Sequence, residues 1–463
     1  MSRVLPPPES FEAQVALVIV GAGAAGLCAA LAAKEAGADP ILIERDAVPA
    51  GSTALSAGLI PAAGTRFQRA KGIADSPVLF ADDIQRKAHH ENDTALVEVV
   101  ARESGPTVEW LAETYGLPFD VIDHFTYPGH SAMRMHGLPT RSGAELIDRL
   151  RSAAEAADVT ILTESRVETL FADEQCRIRG VELTRADGGR ERVGCDAVVL
   201  ACNGYGGNAA LVRELIPEMA DALYFGHPGN QGEAVLWGRA LAAQLAHLSA
   251  YQGHGSVATP HNILITWAVV AEGGFQVNAQ GRRFSDETHG YSEQAAEVLR
   301  QPGEIAWDVF DARIAEIARQ FEDFRAAEKG GALITADTLA ELAARMRVPF
   351  ASFAADCKEV EALKARGGAD RFGRVFKPAQ VLTPPYHAVK VTGALFHTQG
   401  GLAVDAQARV KRQDGGLFPN LFAAGGAAAG VSGETAAGYL SGNGLLTATV
   451  LGRLAGKAAA ALA

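Results

Sequence analysis

Cysteine is scarce: five among 463 residues, at positions 28, 176, 195, 202 and 357. None is arranged as CxxC or CxxCH, so the sequence offers no motif for attached haem c, an iron–sulfur cluster or a disulfide framework. Such usage suits a reducing cytoplasm, the compartment expected here. Basic clusters are missing too. With a net charge of −12, the isolated Lys411-Arg412 pair reads as a solvated turn, and neither nucleic acid nor an anionic membrane is an expected partner. A long uncharged apolar run is also absent. The stretch 445–463 is interrupted by Arg453 and Lys457, and it reads as a docking helix, not a membrane span. Residues 1–14 carry three prolines, Glu9 and Glu12, which is not the pattern of a signal peptide.

Glycine, by contrast, is concentrated where it has something to do. The apolar run Ala16–Val20 predicts a strand buried on both faces. It leads into Gly21-Ala-Gly-Ala-Ala-Gly26 and a helical 27–36. Gly21 permits a tight turn, Gly23 lets the backbone approach a pyrophosphate, and Gly26 lets helix and strand pack closely, with Ala24 and Ala25 in the first turn. Residues 40–44 predict the second strand. Glu44 ends it about 20 residues after the motif, where a ribose-binding carboxylate belongs. This is a Rossmann-like βαβ unit in an α/β fold.

The motif alone does not separate FAD from NAD. Its continuation does. Residues 50–58 would run beneath an isoalloxazine and its ribityl chain, and 198–207 form a second buried strand ending in glycines. Three C-terminal segments then follow: His397-Thr-Gln-Gly-Gly, Leu421-Phe-Ala-Ala-Gly-Gly426 and Gly438-Tyr-Leu-Ser-Gly-Asn-Gly-Leu-Leu446. Glycine at that density brings backbone close to something flat. A nicotinamide dehydrogenase has no evident use for it, so FAD is the expected cofactor.

The organisation expected is a split FAD-binding domain, 1–260 and 381–463, with an inserted α+β cap at 261–380. Two helices fall within 75–115, the second amphipathic over 93–115, and another spans 143–157. Strands are expected at 160–164, 166–172, 176–184 and 191–200, and charged helices within 308–345.

An ordered set of segments across nearly the whole chain resembles the fumarate reductase and succinate dehydrogenase flavoprotein superfamily, which includes 3-ketosteroid Δ1-dehydrogenases. It comprises 21–44, Gly72–Pro77, Gly229–Glu233, Gln252-Gly-His254, Thr266–Phe284, Pro384-Pro-Tyr-His387, His397–Leu402 and Phe422–Gly426. The resemblance implies a cap that closes substrate against FAD. Beyond the residues already named, it places Arg45, Gly51, Ser52, Thr53, Ser56, Ala57, Gly58, Val167, Ala201, Asn203, Gly204, Gly425, Gly426, Ser441, Asn443, Leu445 and Leu446 against the cofactor. The usual linkage histidine is missing near Ser52–Ser56, which implies non-covalent FAD.

The departures are informative. By this resemblance, the proton-donating arginine of soluble fumarate reductases falls on Tyr291. Cap residues that would be Glu and Arg are Trp267 and Val270, the C-terminal substrate arginine becomes Tyr439, and a ribityl-binding glutamate becomes Gly426. His254 and His397 remain. Losing positive charge and gaining two phenols suits a carbonyl on an apolar ring or chain better than a dianion. The resemblance to ketosteroid dehydrogenases implies hydride transfer to flavin N5. Tyr439 would donate to the carbonyl oxygen and Tyr291 would act as base, with His254 and His397 as relay or carboxylate contacts.

The function expected is α,β-desaturation of a small cyclic ketone or keto acid such as 4-oxocyclohexanecarboxylate. Reduction of an activated double bond, as in fumarate or urocanate reductases, is the alternative, and a silent flavin carrier a third. Tyr127, His130, Arg134 and His136 lie in a loop that borders the pocket in this superfamily. Quinone, oxygen, another flavoprotein or a soluble carrier all remain compatible as electron acceptor.

Overall fold

The computed structural model describes residues 2–124 and 126–463. They pack as two compact units. The first comprises Met1–Ile216, Gly226–Tyr251 and His397–Ala463, and the second Pro217–Phe225 and Gln252–Phe396.

The first unit is built on a nine-stranded sheet. Ala13–Val20 lies between Arg190–Leu200 and Pro40–Ile43, all parallel, with Thr160–Leu162 beyond Pro40–Ile43 and Leu417–Ala423 on the far side of Arg190–Leu200. Leu17, Val18 and Ile19 are fully buried, as a strand covered on both faces requires. Ser165–Ala172, Ile178–Arg185 and Arg190–Leu200 form an antiparallel run that returns the chain to this sheet. Ser76 accepts from the Leu79 N–H and precedes Pro77, which starts helix Pro77–Lys87. Asp93 caps Thr94–Tyr115 by accepting from the Leu96 N–H, and Gly116 in a left-handed conformation ends it.

Helix Ala24–Glu35 packs along the C-terminal helix Asn443–Ala460. Their contact face is made of small residues. A Cβ on Gly452 would overlap the Ala25 carbonyl oxygen, and one on Gly456 the Ala29 carbonyl oxygen. The apolar C-terminal stretch is thus a docking helix. Among the described residues, no helix is long and apolar enough to cross a membrane.

The second unit carries a seven-stranded sheet in which Tyr386–Thr398 pairs antiparallel with Ile305–Asp311 and Leu333–Ala336. The second unit is wider than the cap expected at 261–380, since it runs over Gln252–Phe396 and takes in Pro217–Phe225. The pairing also revises the expected run of charged helices. Asp308 lies in a strand, and Leu333–Ala336 interrupts helices Ala312–Ala318, Glu322–Lys329 and Leu339–Met346. Ile305–Asp311 is short, buried at nearly every position and so shows no alternation, and helix-forming sequence follows it directly, so periodicity alone does not separate them.

Asp308 is fully buried. Its Oδ1 accepts from Gln276 Nε2 (2.8 Å) and its Oδ2 from the Ser256 hydroxyl. Burial pushes its carboxyl up to about 7, and the Glu287 charge adds to the rise. A carboxyl raised in the folded state costs no stability below its unfolded pKa near ~3.9; the cost accumulates from there up to about 7 and is constant above it. Asp308→Asn keeps an acceptor for Gln276. It is expected to stabilise the protein by about 2–4 kcal/mol at pH 8, with the gain vanishing near pH 4, in denaturant titrations at the two pH values.

Candidate active site and cofactor cradle

Two of the three glycines of the N-terminal motif sit where only glycine fits, whereas a Cβ on Gly23 would meet nothing nearer than Thr53 Oγ1 at 3.6 Å. Gly21 has φ +102°, and a Cβ there would lie 2.5 Å from the Ala201 carbonyl oxygen. A Cβ on Gly26 would overlap the Gly21 carbonyl oxygen. Strand, turn and helix therefore close into one cradle with the second glycine-ended strand. Glu44 is buried. Its Oε2 accepts from the Ala22 N–H (2.8 Å), which sets the carboxylate beside the turn. Thr53 Oγ1 accepts from the Ala24 N–H (3.1 Å), bringing Gly51–Ala54 onto the helix start. Gly23 supplies no side-chain cap to helix Ala24–Glu35, so beyond the Ala24 N–H held by Thr53 the first turn offers N–H groups and a positive dipole end to a pyrophosphate.

The C-terminal glycines complete this cradle within the same unit. A Cβ on Gly425 would lie 3.1 Å from Ala25 Cβ. Gly426, where the resemblance leads one to expect a glutamate, has no room for a side chain, since a Cβ would overlap Asn203 Oδ1. Asn203 occupies that space at φ +65°. Its Oδ1 accepts from the Gly204 N–H, and its Nδ2 donates to Ser52 Oγ (3.0 Å), which also accepts from Asn230 Nδ2 (2.9 Å). Arg45 is drawn toward the same loop, with a guanidinium nitrogen 3.3 Å from His227 Nδ1. Helix Asn443–Ala460 starts from Gly442 (φ +89°), again with no side-chain cap. Fully buried Asn443 leaves its Oδ1 without a partner. An uncapped helix and an orphaned buried acceptor fit an isoalloxazine edge, which carries both a carbonyl and an N–H.

The second unit holds an aromatic cluster around His254, a buried residue. Its ring stacks on Tyr291 (5.1 Å between centroids, 20° between planes) and on Phe396 (5.6 Å, 23°), while Trp267 meets it edge-on at 5.5 Å. Tyr291 opens helix Tyr291–Leu299 after Gly290. The Ser256 N–H donates to His254 Nδ1 (3.1 Å), so the ring proton sits on Nε2. Burial alone pushes the His254 pKa down to about 3, so the ring is a neutral donor near pH 7. Sequence reading passed over Phe396, although it directly precedes His397.

In the first unit, His397 and Tyr439 meet edge to face at 5.5 Å. A Cβ on Gly444 would lie 3.1 Å from His397 Nε2, so the ring rests on the first turn of the C-terminal helix. Burial pushes its pKa down to about 4.

Of the loop candidates, Arg134 is buried between Asp75 (2.8 Å) and Asp83 (2.6 Å), with its guanidinium 4.5 Å from the Phe80 ring centroid. A guanidinium so neutralised braces the loop. His136 is spanned by Thr65 Oγ1 and the Arg134 carbonyl, both at 2.8 Å. His130 Nε2 donates to the Ser441 carbonyl (2.9 Å), tying the loop to the segment before the C-terminal helix. Tyr127 packs on Leu59, Ile122 and Met135.

The chain matches the FAD binding domain family over residues 16–445. It is 32% identical over 451 residues to a probable fumarate reductase, Ifc3, of Shewanella frigidimarina (strain NCIMB 400), spanning 96% of this chain and 74% of that protein. It is 25% identical over 550 residues to a 4-oxocyclohexanecarboxylate 2-dehydrogenase of Sinomonas cyclohexanicum, spanning 95% and 93%. The solved open conformation of a flavocytochrome c3 fumarate reductase superposes with a TM-score of 0.84 at 31% identity, covering 98% of this chain and 79% of that one. The chain therefore belongs to the FAD binding domain family and to its fumarate reductase group, and it is an FAD-dependent oxidoreductase acting on CH–CH bonds.

Proposed function

We propose that this protein is a dehydrogenase that introduces a C=C bond α,β to the carbonyl of a small cyclic ketone or keto acid. The observation that carries this reading is the uncharged aromatic cluster of His254, Trp267, Tyr291 and Phe396. Burial alone lowers the His254 pKa, whereas a dicarboxylate site would place guanidinium groups against the ring. The 4-oxocyclohexanecarboxylate dehydrogenase relative makes a ring ketone with a carboxylate the first substrate to test. Bound FAD supplies the hydride acceptor.

The chain's own residues handle the proton and the oxygen. Tyr291, at the start of a nine-residue helix, takes the α-proton as a phenolate and becomes a neutral phenol, the positive end of the helix dipole favouring the anion beforehand. Tyr439 donates to the carbonyl oxygen as it gains charge, an interaction worth ~3 kcal/mol. His254 and His397, both neutral, act as hydrogen-bond donors to substrate oxygen. With no histidine at the usual linkage position, FAD is held non-covalently. Denaturation without proteolysis is expected to release the yellow colour into solution, and colour that stays with the precipitated chain would refute this.

The 32% identity to a probable fumarate reductase supports a second reading, reduction of an activated double bond. Anaerobic mixing separates the two. Bleaching of the oxidised enzyme by a saturated cyclic ketone supports desaturation. Failure to bleach, with rapid reoxidation of the reduced enzyme by fumarate or another enoate, supports reduction.

A further inference from the structure

We propose that Gln399 is a positioning residue that locks the His397 imidazole in its Nε2–H tautomer, so that His397 meets its ligand only as a hydrogen-bond donor. The inference rests on the reading of His397 as a substrate contact. It adds a residue that the sequence singled out only as part of a glycine-rich segment.

Four side chains form a continuous polar chain. Gln399 Nε2 lies 2.9 Å from His397 Nδ1. Gln399 Oε1 accepts from the Ser432 hydroxyl (2.8 Å), and Ser432 Oγ accepts from Asn443 Nδ2 (3.0 Å). Gln399, Ser432 and Asn443 are all buried, so water does not compete for these groups. A carboxamide whose oxygen is taken by Ser432 presents its NH2 to the imidazole. Nδ1 must then accept, and the single ring proton goes to Nε2. The nearest alternative partner for an Nδ1–H, the Thr398 carbonyl, is at 3.5 Å, too far to compete with 2.9 Å.

The Gln399 backbone is fixed from both sides. Its N–H donates to the Ala250 carbonyl and its carbonyl accepts from the Gly430 N–H, each at 2.8 Å. Gly430 also leaves room for the side chain, since a Cβ there would lie 3.2 Å from Gln399 Oε1. Glutamine is thus held like a bracket behind the ring, whose Nε2 edge rests on Gly444 at the positive end of the C-terminal helix. A proton there suits a ligand oxygen, from a carbonyl or a carboxylate, and disfavours an N–H or a cation.

Holoenzyme labelled with 15N-histidine tests this directly, with His397 assigned by the signals lost in His397→Gln. The expected spectrum shows an unprotonated Nδ1 and a protonated Nε2, unchanged from pH 6 to 8. A native Nδ1–H would mean the amides run in the opposite direction and would overturn the proposal. Gln399→Glu offers Nδ1 a carboxylate, so the proton should move to Nδ1, titration should enter the pH 6–8 range, and kcat should fall at least tenfold. Gln399→Met removes the partner, and it should give mixed tautomers and about a tenfold lower kcat/KM at full FAD content. A wild-type tautomer in both variants, with activity following stability alone, would assign Gln399 a packing role and refute the inference. If His397→Gln keeps full turnover while the tautomer shifts as expected, the substrate role of His397 fails and the lock stands.

Discussion

Tyr291→Phe is expected to remove most turnover, by about three decades in kcat, while ligand binding changes by no more than a few fold. The substitution deletes one hydroxyl. The ring has its own supports: it stacks on His254 at 5.1 Å, and the Trp267 ring lies 6.3 Å away at a steep angle. Phenylalanine keeps both contacts, so fold and FAD content should survive. What is lost is the atom that takes the α-proton, and removing a general base costs two decades or more where no water can substitute. A group used only in the transition state lowers kcat and kcat/KM together, with dissociation constants nearly unchanged. Tyr439→Phe should cost about two decades and weaken ketone binding as well, because its hydroxyl serves the bound carbonyl before and during reaction. Stopped-flow reduction rates and difference titrations with the same ketone measure both quantities. Near-native rates in both variants would exclude the tyrosine mechanism and leave a site built on His254 and His397.

What the sequence revealed, and what it hid, divides by the range of the forces involved. The N-terminal cradle was legible because its constraints are local. A glycine at φ +102° and another pressed on a carbonyl five residues away leave their mark as a spaced motif. Helix starts at Ser76-Pro77 and Asp93 were legible for the same reason. The tyrosines and histidines were found only through resemblance, since nothing in residues 285–295 announces that Tyr291 will lie flat on His254. Arg134 was ambiguous because its two aspartates lie 59 and 51 positions away, and a buried ion triad looks in sequence like any polar loop. The resemblance places Asn203 against the cofactor, but its occupation of the space beside Gly426 follows from packing between segments more than 200 positions apart. Gln399 was hidden by its own setting, a polar residue inside a glycine run, with partners at Ser432 and Asn443 that only the fold assembles.

Gly456→Leu is expected to be the most damaging single change outside the site, yielding protein that loses FAD and melts at least 10 °C lower. The cause is the close approach of the two helices that both begin at the cofactor cradle. A side chain at Gly456 would enter the space of the Ala29 carbonyl oxygen, and that oxygen belongs to a helix whose residues 24–33 are all buried. Neither backbone can yield without moving its helix, because Ala24–Glu35 is anchored to the sheet and Asn443–Ala460 packs on it along its length. Inserting several methylenes into such a contact costs ~1–3 kcal/mol where side chains can adjust, and more where only backbone faces backbone. The displacement would also propagate to function. Tilting either helix moves its N-terminus away from the group it is proposed to hold, so FAD affinity should fall along with stability. Gly456→Ala, with a single methyl, should show the same two effects at smaller size. Thermal melts followed by both circular dichroism and flavin fluorescence read the two losses separately. A Gly456→Leu protein that keeps its full complement of FAD and its native melting temperature would show that the helix contact does not set the cradle.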